Sequence, residues 1–324
     1  MTMTHEAAVT QQFFVVGSGR CGSTLLSKML HEHRDILSLS EVMFVLGRAP
    51  ELAGLRCDGR EFARMLVRPL PDQHAFLAEA PRVEEILYVP GWASQQTPCS
   101  TLLLCTLPLL SSQPESLLEA ILEAASARGQ SSALEHCDWL FEWLRRRFQR
   151  RIWVERSGAS IAEVDTLAAA WPCAKFVFLT RDGAECARSM ARHPVFRVWM
   201  ARELSGNPAL PIGDCLQRDI PAWRYAAAWS TAMRMAARSP AMLDPERSLL
   251  LSYEALLAQP EHALQRLATF LGVEAESWSK QAAALLEHRP RAQPLGEDSA
   301  RLQRACVSGQ RALEHLIAQR GRSS

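Results

Sequence analysis

The chain has 324 residues, 48% hydrophobic and 22% charged, and its 36 Lys and Arg against 35 Asp and Glu give a net charge of +1. This is ordinary globular usage in a chain long enough to bury a large core without disulfide or metal staples. It excludes a disordered chain, a collagen-like repeat and a coiled-coil rod. A near-neutral balance gives no overall bias toward polyanions, so any anion binding must come from local arrangement. Residues 1–11 read as a flexible N-terminal tail without the basic and apolar regions of a signal peptide. The longest apolar run, Thr101 to Leu110, is too short to span a bilayer and contains Pro108. Nine cysteines without a CxxC pair or zinc-like spacing read as reduced thiols of a cytoplasmic protein.

Phe13–Val16 is a short apolar, β-rich run ending at Gly17, as expected of a buried parallel strand. After a Gly-rich turn, Leu25, Leu26, Met29 and Leu30 fall on one helical face, and Ile36–Leu39 reads as a second strand. The same strand-then-helix order recurs at Ile152–Val154, Phe176–Leu179 and Leu249–Leu251. Strands alternating with helices predict an α/β fold with a central parallel sheet flanked by helices. Residues 50–150 break this order, with helical segments at 115–127 and 132–148 among stretches containing Pro69, Pro71, Pro81, Pro90 and Pro98. A second helical stretch spans Val195 to Arg238. Both are expected to be insertions over the open edge of the sheet. The expected organisation is one domain over 12–290 and a C-terminal helical segment over 291–324.

The first strand runs into Gly17-Ser18-Gly19-Arg20-Cys21-Gly22-Ser23-Thr24. Strand, glycine loop and helix N-terminus together form an anion cradle. Gly17-x-Gly19-x-x-Gly22 matches the dinucleotide fingerprint, with Glu41 near the expected distance. Gly17-x4-Gly22-Ser23-Thr24 is also a P-loop with serine in place of the lysine that a kinase needs. A third reading places the cation within the loop, at Arg20, backed by the hydroxyls of Ser23 and Thr24. A second signal lies at Phe176–Thr180, a strand ending at Arg181, with Ser189 about two helical turns farther on. An arginine fork and a hydroxyl can converge there on one phosphate.

The two signals together resemble the sulfotransferases that use 3′-phosphoadenosine-5′-phosphosulfate (PAPS). GSGRCGSTLL is similar to their 5′-phosphosulfate loop, and Arg181 with Ser189 to their 3′-phosphate site; the RDG…SM form is nearest the tyrosylprotein branch and its bacterial relatives. Arg247–Val273 resembles the family's late strand, Tyr-Glu pair (Tyr253, Glu254) and helix ending in Phe-Leu-Gly. Trp153–Gly158 resembles the Lys-Ser-Pro segment, with Arg156 in place of lysine and Gly158 in place of proline.

This resemblance implies a three-layer P-loop-like fold and PAPS as cosubstrate without a metal. It implies Ser18, Gly19, Arg20, Cys21, Gly22, Ser23, Thr24, Arg181, Ser189 and Tyr253 as the cosubstrate contacts. Arg156 becomes a candidate sulfonyl contact, Arg20 stabilises the leaving group, and Glu41 is the candidate catalytic base. The competing reading of Glu41 is a carboxylate that opens the next helix. His33 reads as a helix C-terminal cap, with His74 and His136 as fallback bases. Cys21 reads as a small replacement in the loop, although a helix N-terminus can lower a thiol pKa. The expected acceptor is a hydroxyl or amine on a small molecule or peptide, not a nucleic acid, and no membrane span is expected. The run Arg145–Arg151 precedes the third expected strand and reads as a solvated helix end at the sheet edge away from the loop. Trp139, Trp143, Trp223 and Trp229 read as core before acceptor platform. The alternatives are a kinase-like nucleotide enzyme that lacks its lysine and a non-catalytic nucleotide-binding module.

Overall fold

A computed structural model describes residues 11–47, 49–69, 72–87, 100–286 and 299–322. Nearly all of the expected tail, Pro71, Pro90, Pro98 and the expected boundary near 290 lie outside these residues. Five strands form one parallel sheet: β1 (Gln12–Gly17), β2 (Ile36–Ser40), β5 (Ile152–Arg156), β6 (Lys175–Thr180) and β7 (Ser248–Ser252). All five contain the apolar runs read from sequence. β3 (Arg56–Cys57) and β4 (Ser131–Ser132) form a separate two-residue antiparallel ribbon. The sheet order is β2-β5-β1-β6-β7. β1, β2, β5 and β6 are buried almost throughout because helices cover both faces, whereas the edge strand β7 is half-buried at three of its five positions. This is the P-loop-like architecture. The order turns back about β1, and a ligand crevice is expected beyond the C-terminal ends of strands at such a reversal.

Side-chain caps start several of the flanking helices. Ser132 and Glu135 form a capping box at the helix Ala133–Arg147. Asp182 accepts from the Glu185 N–H at 2.9 Å to open Gly183–Arg192, and Ser252 accepts from the Ala255 N–H at 2.9 Å just after β7. The helix after β1, α1 (Ser23–His31), is different. It begins behind Gly22 without a side-chain cap, and Leu25, Leu26, Met29 and Leu30 are its buried face.

The helical stretches do more than cover an edge. Ala133–Arg147 belongs to the connection from β2 to its sheet neighbour β5, and it buries Cys137, Leu140, Phe141 and Leu144. Phe141 packs on Trp153 of β5 with ring centroids 4.9 Å apart, so this helix lies against the sheet face. The arginine run at its end is largely structural. Arg145 pairs with Glu142 at 2.9 Å and donates to the Arg150 carbonyl at 2.7 Å; Arg150 and Arg151 donate to the carbonyls of Arg34 and Gly272. Arg146, Arg147 and Arg151 are nonetheless exposed, Arg147 lying over the Trp143 ring. The helix Ser299–Gly321 packs on Ala222–Ala236, where Gly309 lies so close to Trp229 and Ser230 that a Cβ would sit 2.6 Å from each. No helix among the described residues is long and apolar enough to cross a membrane.

Candidate active site

The loop after β1 reverses through left-handed backbone at Gly19 (φ 81°), Arg20 (φ 53°) and Gly22 (φ 98°). Two of these positions exclude a side chain on grounds of space as well. A Cβ at Gly19 would lie 2.4 Å from the Phe196 ring, and one at Gly22 would lie 2.3 Å from the Tyr253 ring. The turn leads directly into the N-terminus of α1, which has no side-chain cap and presents the positive end of the helix dipole. Ser18 is buried and donates to the Gly19 carbonyl at 3.2 Å, while Ser23 opens α1.

Arg20 is the hub. Its Nε donates to Ser189 Oγ at 3.3 Å, and its Nη1 donates to Glu85 Oε1 at 3.0 Å. Thr24 Oγ1 donates to the same Glu85 oxygen at 3.1 Å. His193 Nε2 lies 3.4 Å from Glu85 Oε2, and its Nδ1 is buried with no partner among the described residues. Burial opposes ionisation of Glu85, but the His193 hydrogen bond and the charges of Arg20 and His193 outweigh it and hold the carboxyl at about 2. Arg181 extends the group. It donates to the Arg20 carbonyl at 3.1 Å, lies 3.6 Å from Glu185, and stacks its guanidinium 4.7 Å over the Tyr253 ring. Arg20, Thr24, Arg181, Ser189 and Tyr253 thus converge on one crevice from the ends of β1, β6 and β7.

A second group lies beyond the ends of β2 and β5. Glu41 has a left-handed backbone (φ 63°) at the start of α2 (Val42–Leu46), but its carboxylate does not cap that helix. It accepts from Arg156 Nη1 and, through Oε2, from the Gly158 N–H at 3.0 Å. Glu155 and Ser157 take over the capping: Met43 N–H donates to Glu155 at 3.2 Å and Phe44 N–H to Ser157 at 3.1 Å. Arg156 is buried, and its Nε has no partner among the described residues. Burial raises the Glu155 pKa to about 7, with Glu41 adding to the rise against the hydrogen bonds from Ser157 and Met43 and the charge of Arg156.

Several neighbours read from sequence are structural. Cys21 is fully buried, and burial pushes its thiol pKa up, against the lowering that a helix N-terminus alone would give. His33 Nδ1 accepts from the Asp35 N–H at 3.0 Å, so its Nε2 is the donor to the Glu274 carbonyl at 2.9 Å. It packs on Trp278, and its ring bonds lie beyond α1 and not on that helix's last carbonyls, so it is not the C-terminal cap expected from the sequence. His136 is held likewise between Arg128 (3.0 Å) and the Cys57 carbonyl (3.0 Å), stacked on Phe62. His74 is exposed on the short helix Gln73–Glu79. Trp229 is core, whereas Trp139 and Trp143 line a shallow surface depression with Glu142, Arg146 and Arg147. Sequence reasoning missed Glu85, His193 and Phe196. His193 follows Ser189 by four residues, a helical spacing that signals one face; nothing around Glu85 in Arg82-Val83-Glu84-Glu85-Ile86 signals its destination.

A family model described as "Sulfotransferase family" matches residues 12–280. No curated protein matches the chain. Among solved structures, the sulfotransferase domain from the curacin biosynthetic pathway is 16% identical, covering 92% of this chain and 97% of its own, with a TM-score of 0.49. The sulfotransferase of Alicyclobacillus acidocaldarius is 16% identical over 95% of this chain and 96% of its own, with a TM-score of 0.41. Sulfotransferase STF9 of Mycobacterium avium is 16% identical over 96% of this chain and 76% of its own, with a TM-score of 0.47.

Proposed function

The chain belongs to the sulfotransferase family, and from that premise we propose that it moves the sulfonyl group of PAPS to a hydroxyl or amine acceptor, releasing 3′-phosphoadenosine 5′-phosphate (PAP). One observation carries this reading. An arginine, a threonine hydroxyl and a helix N-terminus without a side-chain cap meet where the glycine loop has no room for side chains, and a carboxylate already fills the anion position they define. A cradle that holds one anion so firmly suits a phosphate or sulfate in the same place.

PAPS supplies the activated sulfonyl group; the chain's residues hold, orient and neutralise. The loop N–H groups, Arg20 and Thr24 take the 5′ end. Charge that grows on the leaving phosphate falls to Arg20, a cation held at the loop in a partly buried site. Arg181, stacked on Tyr253, and Ser189 take the 3′-phosphate, a role that would draw the Arg181 guanidinium off the Arg20 carbonyl. Gly22 lets Tyr253 close on the loop, so the two phosphate positions are set by one packed contact. Arg156 stands behind the loop for the sulfonyl oxygens, and its unpartnered Nε is a donor in reserve. Glu41, paired with Arg156, is the base for the acceptor proton, with the Gly158 N–H and Arg156 fixing its direction.

Titration calorimetry tests the reading. PAP should bind well ahead of adenosine 5′-phosphate, ATP and NADP, and Arg181→Ala should weaken PAP by roughly 1.5–3 kcal/mol, the scale of charge-assisted hydrogen bonds. Equal binding of PAP and adenosine 5′-phosphate by the unaltered protein would remove the 3′-phosphate site from the argument.

A further inference from the structure

The carboxylate in the cradle comes from residues 81–87, a segment with no helix or strand of its own. Two anchors fix it on either side of Glu85. Val83 is buried, and the Leu87 N–H donates to the Leu104 carbonyl at 2.9 Å. A single loose turn spans them, its Ile86 N–H reaching the Val83 carbonyl at 3.3 Å. Glu85 is thereby delivered at a set point, where Arg20, Thr24 and His193 all bind its two oxygens. Glu84, its neighbour, is exposed and makes no such contact.

We propose that Glu85 is a built-in competitor for the cosubstrate: its carboxylate closes the 81–87 strap over the anion cradle and must be displaced for PAPS or PAP to bind. The inference rests on the cosubstrate reading above. Its physical basis is charge. A carboxylate and the 5′-phosphosulfate cannot share Arg20 and Thr24, since two anions at hydrogen-bond distance from the same donors repel strongly in a partly buried site. Arg20 is occupied twice over in this closed form, by Glu85 and by Ser189, so both phosphate positions are engaged internally. On displacement, the strap opens at its one turn, Arg20 turns to the incoming anion and Ser189 is freed for the 3′-phosphate. The closed strap keeps an electropositive crevice from holding stray inorganic anions, and an anion that engages both the Arg20 and the Arg181 positions is best equipped to open it.

The test measures PAP binding by calorimetry for the unaltered protein, Glu85→Gln and Glu85→Ala, with a thermal melt confirming that each is folded. Removing the competing charge should tighten PAP by about 5- to 100-fold in both variants, the usual range of coupling between linked equilibria. Unchanged or weaker PAP binding in the folded variants, with normal binding by the unaltered protein, would overturn the proposal and make Glu85 a site or structural residue. Absence of PAP binding in all three proteins would instead overturn the cosubstrate reading and this inference with it. Hydrogen exchange on the unaltered protein needs no variant. Saturating PAP should speed exchange at Ile86, whose N–H closes the turn, while slowing it in the loop after β1. Slower or equal exchange at Ile86 under PAP would also overturn the strap.

Discussion

At the scale of single residues, the surroundings of Glu41, the proposed base, define how it would act. Its carboxylate accepts from Arg156 and from the Gly158 N–H, so the direction it faces is set by two donors on the strand-end segment after β5. The left-handed backbone at Glu41 is maintained because Glu155 and Ser157 cap α2 in its place. Glu41→Gln keeps the shape and loses the basicity. Turnover should fall about 10²–10⁴-fold, the usual contribution of a positioned base, while PAP affinity is retained. The comparison requires an acceptor of high pKa, measured by steady-state kinetics; near-normal turnover by the variant would move the base elsewhere.

At the scale of elements, the loop between β1 and α1 is a packed joint. Phe196, from the helix Pro194–Ser205, closes on Gly19; Tyr253, at the start of the helix after β7, closes on Gly22. Two separate elements therefore close on the cradle. Gly22→Ala brings two penalties together: a left-handed backbone that an L-residue resists, and a Cβ 2.3 Å from the Tyr253 ring. The tyrosine must move, and with it the stacked Arg181. Stability should drop by roughly 1–3 kcal/mol, and PAP binding should suffer more than the melting temperature implies. Calorimetry beside a thermal melt separates the two; full PAP affinity in the variant would show that the Tyr253 contact is dispensable.

At the scale of the molecule, one core joins the sheet, the connection from β2 to β5 and the C-terminal helix. Leu302, Cys306 and Leu316 of that helix are buried in it, and Arg320 donates to the Met242 and Ser248 carbonyls at 2.6 and 2.5 Å. Deep in this core Glu155 has a pKa raised to about 7 by burial, above its ordinary value near 4.5. A carboxyl raised in the folded state favours folding while protonated, so its contribution is complete below about pH 4.5 and is lost as pH rises through 7. Global stability of the unaltered protein should therefore decline relative to Glu155→Gln across that window, by about 1–3 kcal/mol. Parallel thermal melts of the two proteins between pH 4.5 and 7.5 read the difference directly; parallel curves would show that Glu155 ionises freely.

The five strands and α1 were legible because their signals are local: apolar runs of strand length, a helical apolar face, and a glycine loop joining them. The family followed from the same kind of information, two short motifs at the ends of β1 and β6. Other features were settled by residues far apart in sequence. The helix Ala133–Arg147 carries the same amphipathic pattern whether it covers an edge or a face, and only its packing on Trp153 decides. Cys21 reads as a small replacement beside a helix N-terminus that can lower a thiol pKa; burial, a property of the whole fold, raises it instead. Arg145, Arg150 and Arg151 read as a solvated run, but in the fold they donate to the carbonyls of Arg150, Arg34 and Gly272. Glu85 is the extreme case. Its 65-residue separation from Arg20 leaves no periodicity or spacing to read. Periodicity encodes which face of an element is apolar; it does not encode which distant charge will meet another across a crevice, because that depends on how the sheet order brings the strand ends together.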